Sequence, residues 1–280
     1  MNTLVAAIQM QSLDDLTNNL QQAAQLLAQA AQAGAKLAVL PENFAVFAAG
    51  MQHQTAQQLP MIQTWLAQQA QQHQLWIVAG SIPCLYRPNG QMVAENKVRA
   101  CCLVYNQQGQ LVGRYDKIHL FDVSIDDQQS QYQESATFEA GEEIVVIKTP
   151  FANIGLSICY DIRFPYLYQA LRQQGAEIIV VPAAFTALTG EAHWQVLLRA
   201  RAIENQCLVI GAGQSGWHSS SRQTWGHSQI IDAWGRVLAE QTQVGCGVVL
   251  AEYIPSELRR VRQQMPILRH RRLSETIKLS

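Results

Sequence analysis

The sequence predicts an α/β fold in which helices cover the β-sheets. Apolar segments of strand length alternate with segments whose apolar residues recur at helical spacing. Residues 37–40 are apolar at every position, which is typical of a strand covered on both faces. Hydrophobic residues make up 48% of the 280 residues, enough for a large core, and no linker or shift in composition divides the chain. We therefore expect a single domain over residues 1–280.

The elements predicted for the first part of the chain begin with a strand at residues 4–10. Asp14 or Asp15 caps the helix that follows, and Gly34 ends this helix just after its last turn. The next predicted elements are a strand at 37–40, a helix at 60–72, and strands at 75–80, 94–106 and 111–115.

Residues 120–140 are polar and show no periodicity, so they predict a long loop. Loops of this length inside compact domains are often lids or binding loops. The remaining predicted elements are strands at 144–149 and 154–159, a helix at 164–174, a strand at 177–181, a helix at 191–204, a strand at 207–211, a hairpin around the turn at 232–235, a strand at 247–253, and a short helix from Pro255.

Composition excludes several classes of protein. The net charge of −1 provides no bulk attraction to nucleic acid, and no stretch approaches the roughly 18 apolar residues of a membrane span. The N-terminus lacks the basic segment and long apolar core of a secretory signal. None of the six cysteines forms a Cys-x-x-Cys motif, which weakens a zinc or thioredoxin-type site. Reduced thiols in a cytoplasmic protein fit this pattern best.

Cys159 is the first candidate for chemistry. It follows an apolar run and precedes an amphipathic run that opens at Phe164-Pro165, so it is predicted at a turn between a strand and a helix. This position presents a side chain at the carboxyl end of a strand, and a helix N-terminus favours thiolate over thiol. The alternative is an inert buried cysteine that packs as a small hydrophobe.

Three further side chains lie where predicted strands pass into loops or within the long loop. Glu42 follows a fully apolar strand and is placed like a catalytic base, although a capping or surface role is also open. Lys117 could stabilise an oxyanion, while His119 could instead form a Cys–His dyad with Cys159, and spacing does not choose between them. Glu134 could be a solvated loop residue.

Together these segments resemble the signatures of the nitrilase superfamily, the carbon–nitrogen hydrolases. The similarity lies in Leu40-Pro41-Glu42-Asn43, Tyr115-Asp116-Lys117-Ile118-His119-Leu120-Phe121 and Ile158-Cys159-Tyr160-Asp161-Ile162-Arg163-Phe164-Pro165. It continues to the end of the chain, and the segments after Cys159 are most similar to the branch that contains the deaminated glutathione amidases and the ω-amidases. Nitrile-hydrolysing members usually carry Cys-Trp-Glu where this chain has Cys159-Tyr160-Asp161, which argues against nitriles.

The resemblance implies a role for each candidate. Cys159 would be the nucleophile, Glu42 the general base, Lys117 the oxyanion stabiliser, and Glu134 a second acid that positions the others. The backbone N–H of Tyr160 would complete the oxyanion hole. Neither a cofactor nor a metal is expected, and the variants Cys159→Ala and Lys117→Ala are expected to fold normally without amidase activity.

The resemblance also implies a fold, an assembly and a substrate class. The family fold is an α-β-β-α four-layer sandwich, usually paired as a homodimer, and the Arg-rich segment at about 255–280 is expected to pack at a subunit interface. The expected substrate is deaminated glutathione, which gives 2-oxoglutarate and cysteinylglycine. The alternatives are ω-amidase action on 2-oxoglutaramate or 2-oxosuccinamate, and a non-catalytic member that binds partners.

The substrate's carboxylate requires a counter-charge. Arg163, four residues after Cys159, is the nearest candidate in sequence, although it could instead pair with Asp161 or a neighbouring subunit. Phe185 and Thr186 follow the strand that ends at Pro182, so we expect them to border the pocket.

Overall fold

Two β-sheets lie face to face at the centre of the computed structural model, which describes residues 2–272. In chain order, the strands are β1 (Thr3–Gln9), β2 (Leu37–Val39), β3 (Trp76–Val78), β4 (Ile82–Cys84), β5 (Arg99–Tyr105), β6 (Leu111–Asp116), β7 (Asp122–Ser124), β8 (Gln131–Gln133), β9 (Val146–Lys148), β10 (Asn153–Leu156), β11 (Ile178–Ala183), β12 (Leu208–Gly213), β13 (Ser215–Trp217), β14 (Gln223–Trp225), β15 (Gln229–Ile231), β16 (Val237–Glu240) and β17 (Gly247–Tyr253). The α-helices are α1 (Leu16–Gln32), α2 (Gln52–Gln57), α3 (Leu59–His73), α4 (Pro165–Gln173), α5 (Ala187–Thr189), α6 (Gln195–Asn205), α7 (Pro255–Gln264) and α8 (Ile267–His270). Short 3-10 turns span Glu134–Ala136 and Cys159–Arg163, and a π-helical turn spans Gly190–Trp194.

The first sheet has the strand order β17-β1-β2-β3-β5-β4, with β6 paired to β5. Strands β1, β2 and β3 are parallel, and β6 runs in the same direction because β5 is antiparallel to both β3 and β6. The second sheet has the order β16-β15-β12-β11-β10-β9, with β10, β11 and β12 parallel. The carboxyl ends of β2 and β6 therefore lie at the same end of the first sheet.

The alternation of side chains along β1 shows how the layers form. Val5 and Ala7 point toward the second sheet and belong to the core that the two sheets share. Ala6 and Ile8 point the other way and pack in a separate core with α1 and α3. Helices α4 and α6 cover the outer face of the second sheet. The predicted four-layer α-β-β-α arrangement is confirmed.

Most of the predicted elements are present. Of the two predicted caps of α1, Asp15 is the one that caps it, through a hydrogen bond from the Asn18 N–H. Several short elements that lack a clear period were not predicted: strands β4, β13 and β14 and helices α2, α5 and α8. The predicted strand at 94–106 extends only over β5. The predicted loop at 120–140 contains the hairpin β7–β8, and the predicted helix at 191–204 begins as a π-helical turn.

Helix α7 packs Leu258 and Val261 into the core around the second sheet. Arg262 on the same helix donates hydrogen bonds to the carbonyl oxygens of Gln206 and Ala176. The last eight residues of the segment expected at a subunit interface, 273–280, lie outside the described residues. Among residues 2–272, no helix combines the length and apolar character needed to cross a membrane.

Candidate active site

The ammonium group of Lys117 lies between two carboxylates. Its Nζ is 2.9 Å from Glu42 Oε1 and 2.8 Å from Glu134 Oε2. The Lys117 side chain is only 2% exposed and that of Glu42 only 6%, so these are buried ion pairs. The structure thus brings together three residues that are 75 and 17 positions apart in sequence. His119 does not take part in this cluster.

Glu42 is held from both sides. It follows β2, and its Oε2 accepts a hydrogen bond from the Ala184 N–H at 2.8 Å, just beyond β11 of the other sheet. The Gln214 side chain donates to the Glu42 carbonyl oxygen at 3.0 Å. Gly80 permits the close passage of this loop, because a Cβ there would lie 1.9 Å from the Pro41 carbonyl oxygen. Glu42 therefore has a defined position at the junction of the two sheets.

Glu134 lies at the start of the 3-10 turn after the hairpin β7–β8. It accepts hydrogen bonds from Lys117 Nζ through both carboxylate oxygens and from the Phe121 N–H at 2.6 Å. Burial raises the pKa of Glu134, and the charge of Lys117 opposes this rise. Burial by itself would lower the pKa of Lys117, but the charges of Glu134 and Glu42 offset it and hold that pKa well above its ordinary value. The two carboxylates therefore favour the charged form of Lys117.

Cys159 lies on the 3-10 turn that follows β10, and the residue is 7% exposed. Its φ of +46° lies in the left-handed region, which is uncommon for a residue other than glycine. Burial raises the pKa of the Cys159 thiol well above its ordinary value, Glu42 raises it further, and Lys117 opposes them. The helix expected after Cys159, α4, begins only at Pro165, so its N-terminus does not adjoin the thiol, and burial is the largest influence on the thiol pKa.

Asp161 fixes the turn that carries Cys159, and sequence reasoning missed this role. Its fully buried carboxylate accepts hydrogen bonds from Tyr115 Oη at 2.7 Å and the Ile158 N–H at 2.8 Å. It also accepts from the His119 N–H, and His119 Nδ1 lies 2.7 Å away. His119 is thus bound to Asp161 and stacked on Phe164 rather than directed at Cys159. The available signal in the sequence was the position of Asp161, an acidic residue only two positions after Cys159 and within the same predicted turn.

The predicted substrate-binding residues separate into two groups. Arg163 and Phe185 line the cavity that contains Cys159, and the Arg163 guanidinium lies 5.2 Å from the centre of the Phe185 ring. Arg163 Nη1 is 3.2 Å from His193 Nδ1. Asp161, the other partner considered for Arg163, instead accepts from Tyr115, His119 and Ile158. Thr186 is buried and instead caps the short helix α5, where its Oγ1 accepts from the Thr189 N–H. Tyr160 lines the cavity, and its N–H lies in the first turn of a 3-10 segment, where N–H groups lack partners within the turn.

The cavity has a volume of about 650 Å³ and contains Glu42, Lys117, Glu134 and Cys159 in its wall. This size is within the range of cavities that hold small molecules. No cluster of three or more His, Cys, Asp or Glu side chains suited to a metal ion occurs in the described part of the chain. A thiol, a carboxylate that can accept its proton, and a fixed cation are the groups that cleavage of an acyl compound requires.

Comparison with known proteins agrees with this chemistry. A family model described as carbon–nitrogen hydrolase matches residues 4–263. The chain is 46% identical to a deaminated glutathione amidase of Synechocystis over 96% of this chain and 97% of the relative. It is 41% identical to one of Yersinia enterocolitica over 99% and 95%. A Saccharomyces cerevisiae member of branch 10 of the nitrilase superfamily has a similar structure, with a TM-score of 0.84, 29% identity, and 97% of each chain covered.

Proposed function

The chain belongs to the carbon–nitrogen hydrolase family, and we propose that it is an amidase that hydrolyses deaminated glutathione to 2-oxoglutarate and cysteinylglycine. The observation that carries this proposal is the identity of 41% and 46%, over nearly the whole chain, to relatives named deaminated glutathione amidase. The cavity of about 650 Å³ supports it, since the substrate extends on both sides of the scissile amide and needs room for a dipeptide as leaving group.

The proposed reaction starts with Cys159 as the nucleophile and Glu42 as the general base. Glu42 takes the thiol proton as Sγ attacks the amide carbon, which avoids a free thiolate in a site where burial raises the thiol pKa. The carbonyl oxygen becomes negative and faces the Lys117 ammonium and the Tyr160 N–H. One such donor typically contributes roughly 10²–10³ in rate.

Collapse of this intermediate breaks the C–N bond. Glu42 passes its proton to the departing amine, and a thioester of Cys159 remains. Glu42 then takes a proton from water, whose oxygen attacks the thioester, and returns this proton to the sulfur as the carboxylic acid is released. Glu134 keeps Lys117 in place and charged through both of its carboxylate oxygens. The groups form a coupled set, so the pH dependence of the rate belongs to the set rather than to one residue.

The test of this proposal compares kcat/KM for deaminated glutathione and for 2-oxoglutaramate, with Cys159→Ala as the inactive control. We expect deaminated glutathione to have the higher kcat/KM and the control to have no measurable turnover. A preference for 2-oxoglutaramate would replace the proposal with an ω-amidase. Turnover of neither amide would instead indicate a non-catalytic member of the family.

We also propose that the protein acts in the cytoplasm as a homodimer, without nucleic acid or membrane as partners. Six cysteines that form no disulfide among the described residues support a reducing compartment. The outer helices of the second sheet expose large apolar side chains, Tyr166 on α4 and Val196 and Ile203 on α6, at 63%, 66% and 48%. Such a surface is typical of a protein interface. We propose that a second copy covers it and that the segment at 255–280 lies at its border.

A further inference from the structure

Arg222 lies in the wall of the cavity that contains Cys159, in the loop between β13 and β14. Its Nη2 donates a hydrogen bond to the Ala184 carbonyl oxygen at 3.0 Å. Its guanidinium also lies over two aromatic rings, 4.7 Å from the centre of Tyr132 and 5.6 Å from that of Phe47. This hydrogen bond, the two ring contacts and a polar contact with the Tyr132 hydroxyl thus fix the position of this cation.

One donor of Arg222 is not used by the protein. Nη1 is buried and has no hydrogen-bond partner among residues 2–272. A buried charged donor without a partner costs free energy, so the site is suited to an anion that enters from the cavity.

The groups around Arg222 do not neutralise it. Asp127, in the loop of the hairpin β7–β8, accepts from the Tyr132 hydroxyl at 2.8 Å and from two backbone N–H groups. His218 stacks edge-on with Phe47, and its Nδ1 is 2.7 Å from the Ser12 carbonyl oxygen. Burial lowers the pKa of His218 to about 4, so this ring is neutral at pH 7. The positive charge of Arg222 therefore remains available to a ligand.

Arg163, the candidate that sequence position favours, differs from Arg222 in this respect. Its Nη1 already lies beside His193 Nδ1, and that contact is exposed. Of these two arginines on the cavity wall, only Arg222 has a buried donor atom without a partner among residues 2–272.

A single residue connects Arg222 to the proposed general base. Ala184 donates its N–H to Glu42 and accepts from Arg222 through its carbonyl oxygen. The two charged groups are thus separated by the backbone of one residue and two hydrogen bonds, at most roughly 10 Å in total. In a five-carbon 2-oxo-acid amide, the carboxylate lies roughly 5 Å from the amide carbon. Arg222 and the proposed general base are therefore near enough to contact opposite ends of one substrate of this length.

We propose that Arg222 binds the carboxylate of the 2-oxo-acid half of the substrate. This inference rests on the proposed amidase function and makes it more specific, because it assigns the residue that recognises the acyl side of the scissile bond. The free Nη1 provides a charge-assisted hydrogen bond, and the planar guanidinium can present two N–H groups to one carboxylate. Binding would give the buried donor its missing partner.

The test compares two amides that differ only in this carboxylate, 2-oxoglutaramate and 4-oxopentanamide. We expect Arg222→Gln to lower kcat/KM for 2-oxoglutaramate roughly 10²-fold, mainly through KM, and to change that for 4-oxopentanamide by less than about threefold. Arg222→Lys keeps the charge without the planar fork and should fall between the wild type and Arg222→Gln. The matched control is Arg236→Gln, because Arg236 is an exposed arginine with its own ion pair to Asp232.

A binding measurement separates this inference from the proposed function. The Kd of 2-oxoglutaramate is measured by calorimetry in Cys159→Ala with and without Arg222→Gln, and roughly 10²-fold weaker binding in the double variant is expected. This result without turnover by the wild type would reject the amidase function and retain the carboxylate site. Three results would overturn the role of Arg222, even if the wild type is active. These are equal affinity of the single and double variants, no binding to either variant, and an equal decrease in kcat/KM for the two amides in Arg222→Gln.

Discussion

Replacing Lys117 with methionine would leave two buried carboxylates without the cation that lies between them. The Nζ contacts with Glu42 and Glu134 are 2.9 and 2.8 Å, and at an effective dielectric constant of about 20 each corresponds to roughly 6 kcal/mol of attraction between unit charges. Desolvation offsets much of this attraction, and removing one partner of a buried pair typically costs about 3–5 kcal/mol. We expect Lys117→Met to lose about this much stability at pH 8, as well as all activity.

The loss should depend on pH in a defined direction. Burial already raises the pKa of Glu134, and Lys117 is the charge that opposes this rise, so the pKa increases further in the variant. A carboxyl whose pKa is raised in the folded state stabilises the protein fully below its unfolded pKa of about 4.3 and loses that contribution as the pH rises through the folded value. The stability gap between wild type and variant should therefore be smallest near pH 5 and largest near pH 8.

Urea denaturation followed by circular dichroism at pH 5, 6, 7 and 8 measures this gap. The matched control is Lys148→Met in β9, an exposed lysine whose removal should change stability by less than about 0.5 kcal/mol. Adding Glu134→Gln to Lys117→Met should recover stability at pH 8, because it removes one of the two uncompensated charges. A gap that is constant with pH, or a Lys117→Met protein as stable as the wild type at pH 8, would refute this reasoning. The expectation from sequence that Lys117→Ala folds normally would then hold.

Two other substitutions test the turn of Cys159 and the proposed dimer. Asp161→Asn places an amide where four donors converge, so we expect the free energy of unfolding in urea to fall by about 2–4 kcal/mol and kcat to decrease. The exposed control Asp126→Asn should change neither quantity. An unaltered kcat in Asp161→Asn would argue against the positioning role. Val196→Glu puts a charge on the exposed face of α6, so this variant should be a monomer in analytical ultracentrifugation. If the wild type is itself monomeric at micromolar concentration, the proposed homodimer is rejected.

Local sequence patterns predicted the elements that carry the candidate site. Strand β2 was recognised because all of its residues are apolar, and α4 because its apolar residues have a helical period. Since catalytic groups in α/β proteins follow the carboxyl ends of strands, Glu42, Lys117 and Cys159 could be selected as candidates before their distances were known. The resemblance to a family then added Glu134, which no local pattern distinguishes from a solvated loop residue.

Other features depend on contacts between distant parts of the chain. His119 and Lys117 were equivalent by spacing, and only the position of Asp161 shows that His119 is bound elsewhere. Thr186 was expected at the pocket because it follows a strand, but its hydroxyl caps the next helix. The raised pKa of the Cys159 thiol also results from burial, which a linear position beside a helix does not reveal.

The α/β class and the order of most strands and helices could be read from the sequence, because periodicity and residue type are local. The acid, the lysine and the cysteine were candidates from their position relative to strand ends, and the resemblance to a family chose them over their alternatives. The folded chain was needed to show that Lys117 is shared by two buried carboxylates and that Arg222, 63 positions after Cys159, has a buried donor without a partner among residues 2–272 in the wall of the same cavity. Ion pairing, desolvation and hydrogen-bond satisfaction depend on distances between residues that are remote in sequence, so no local pattern contains them.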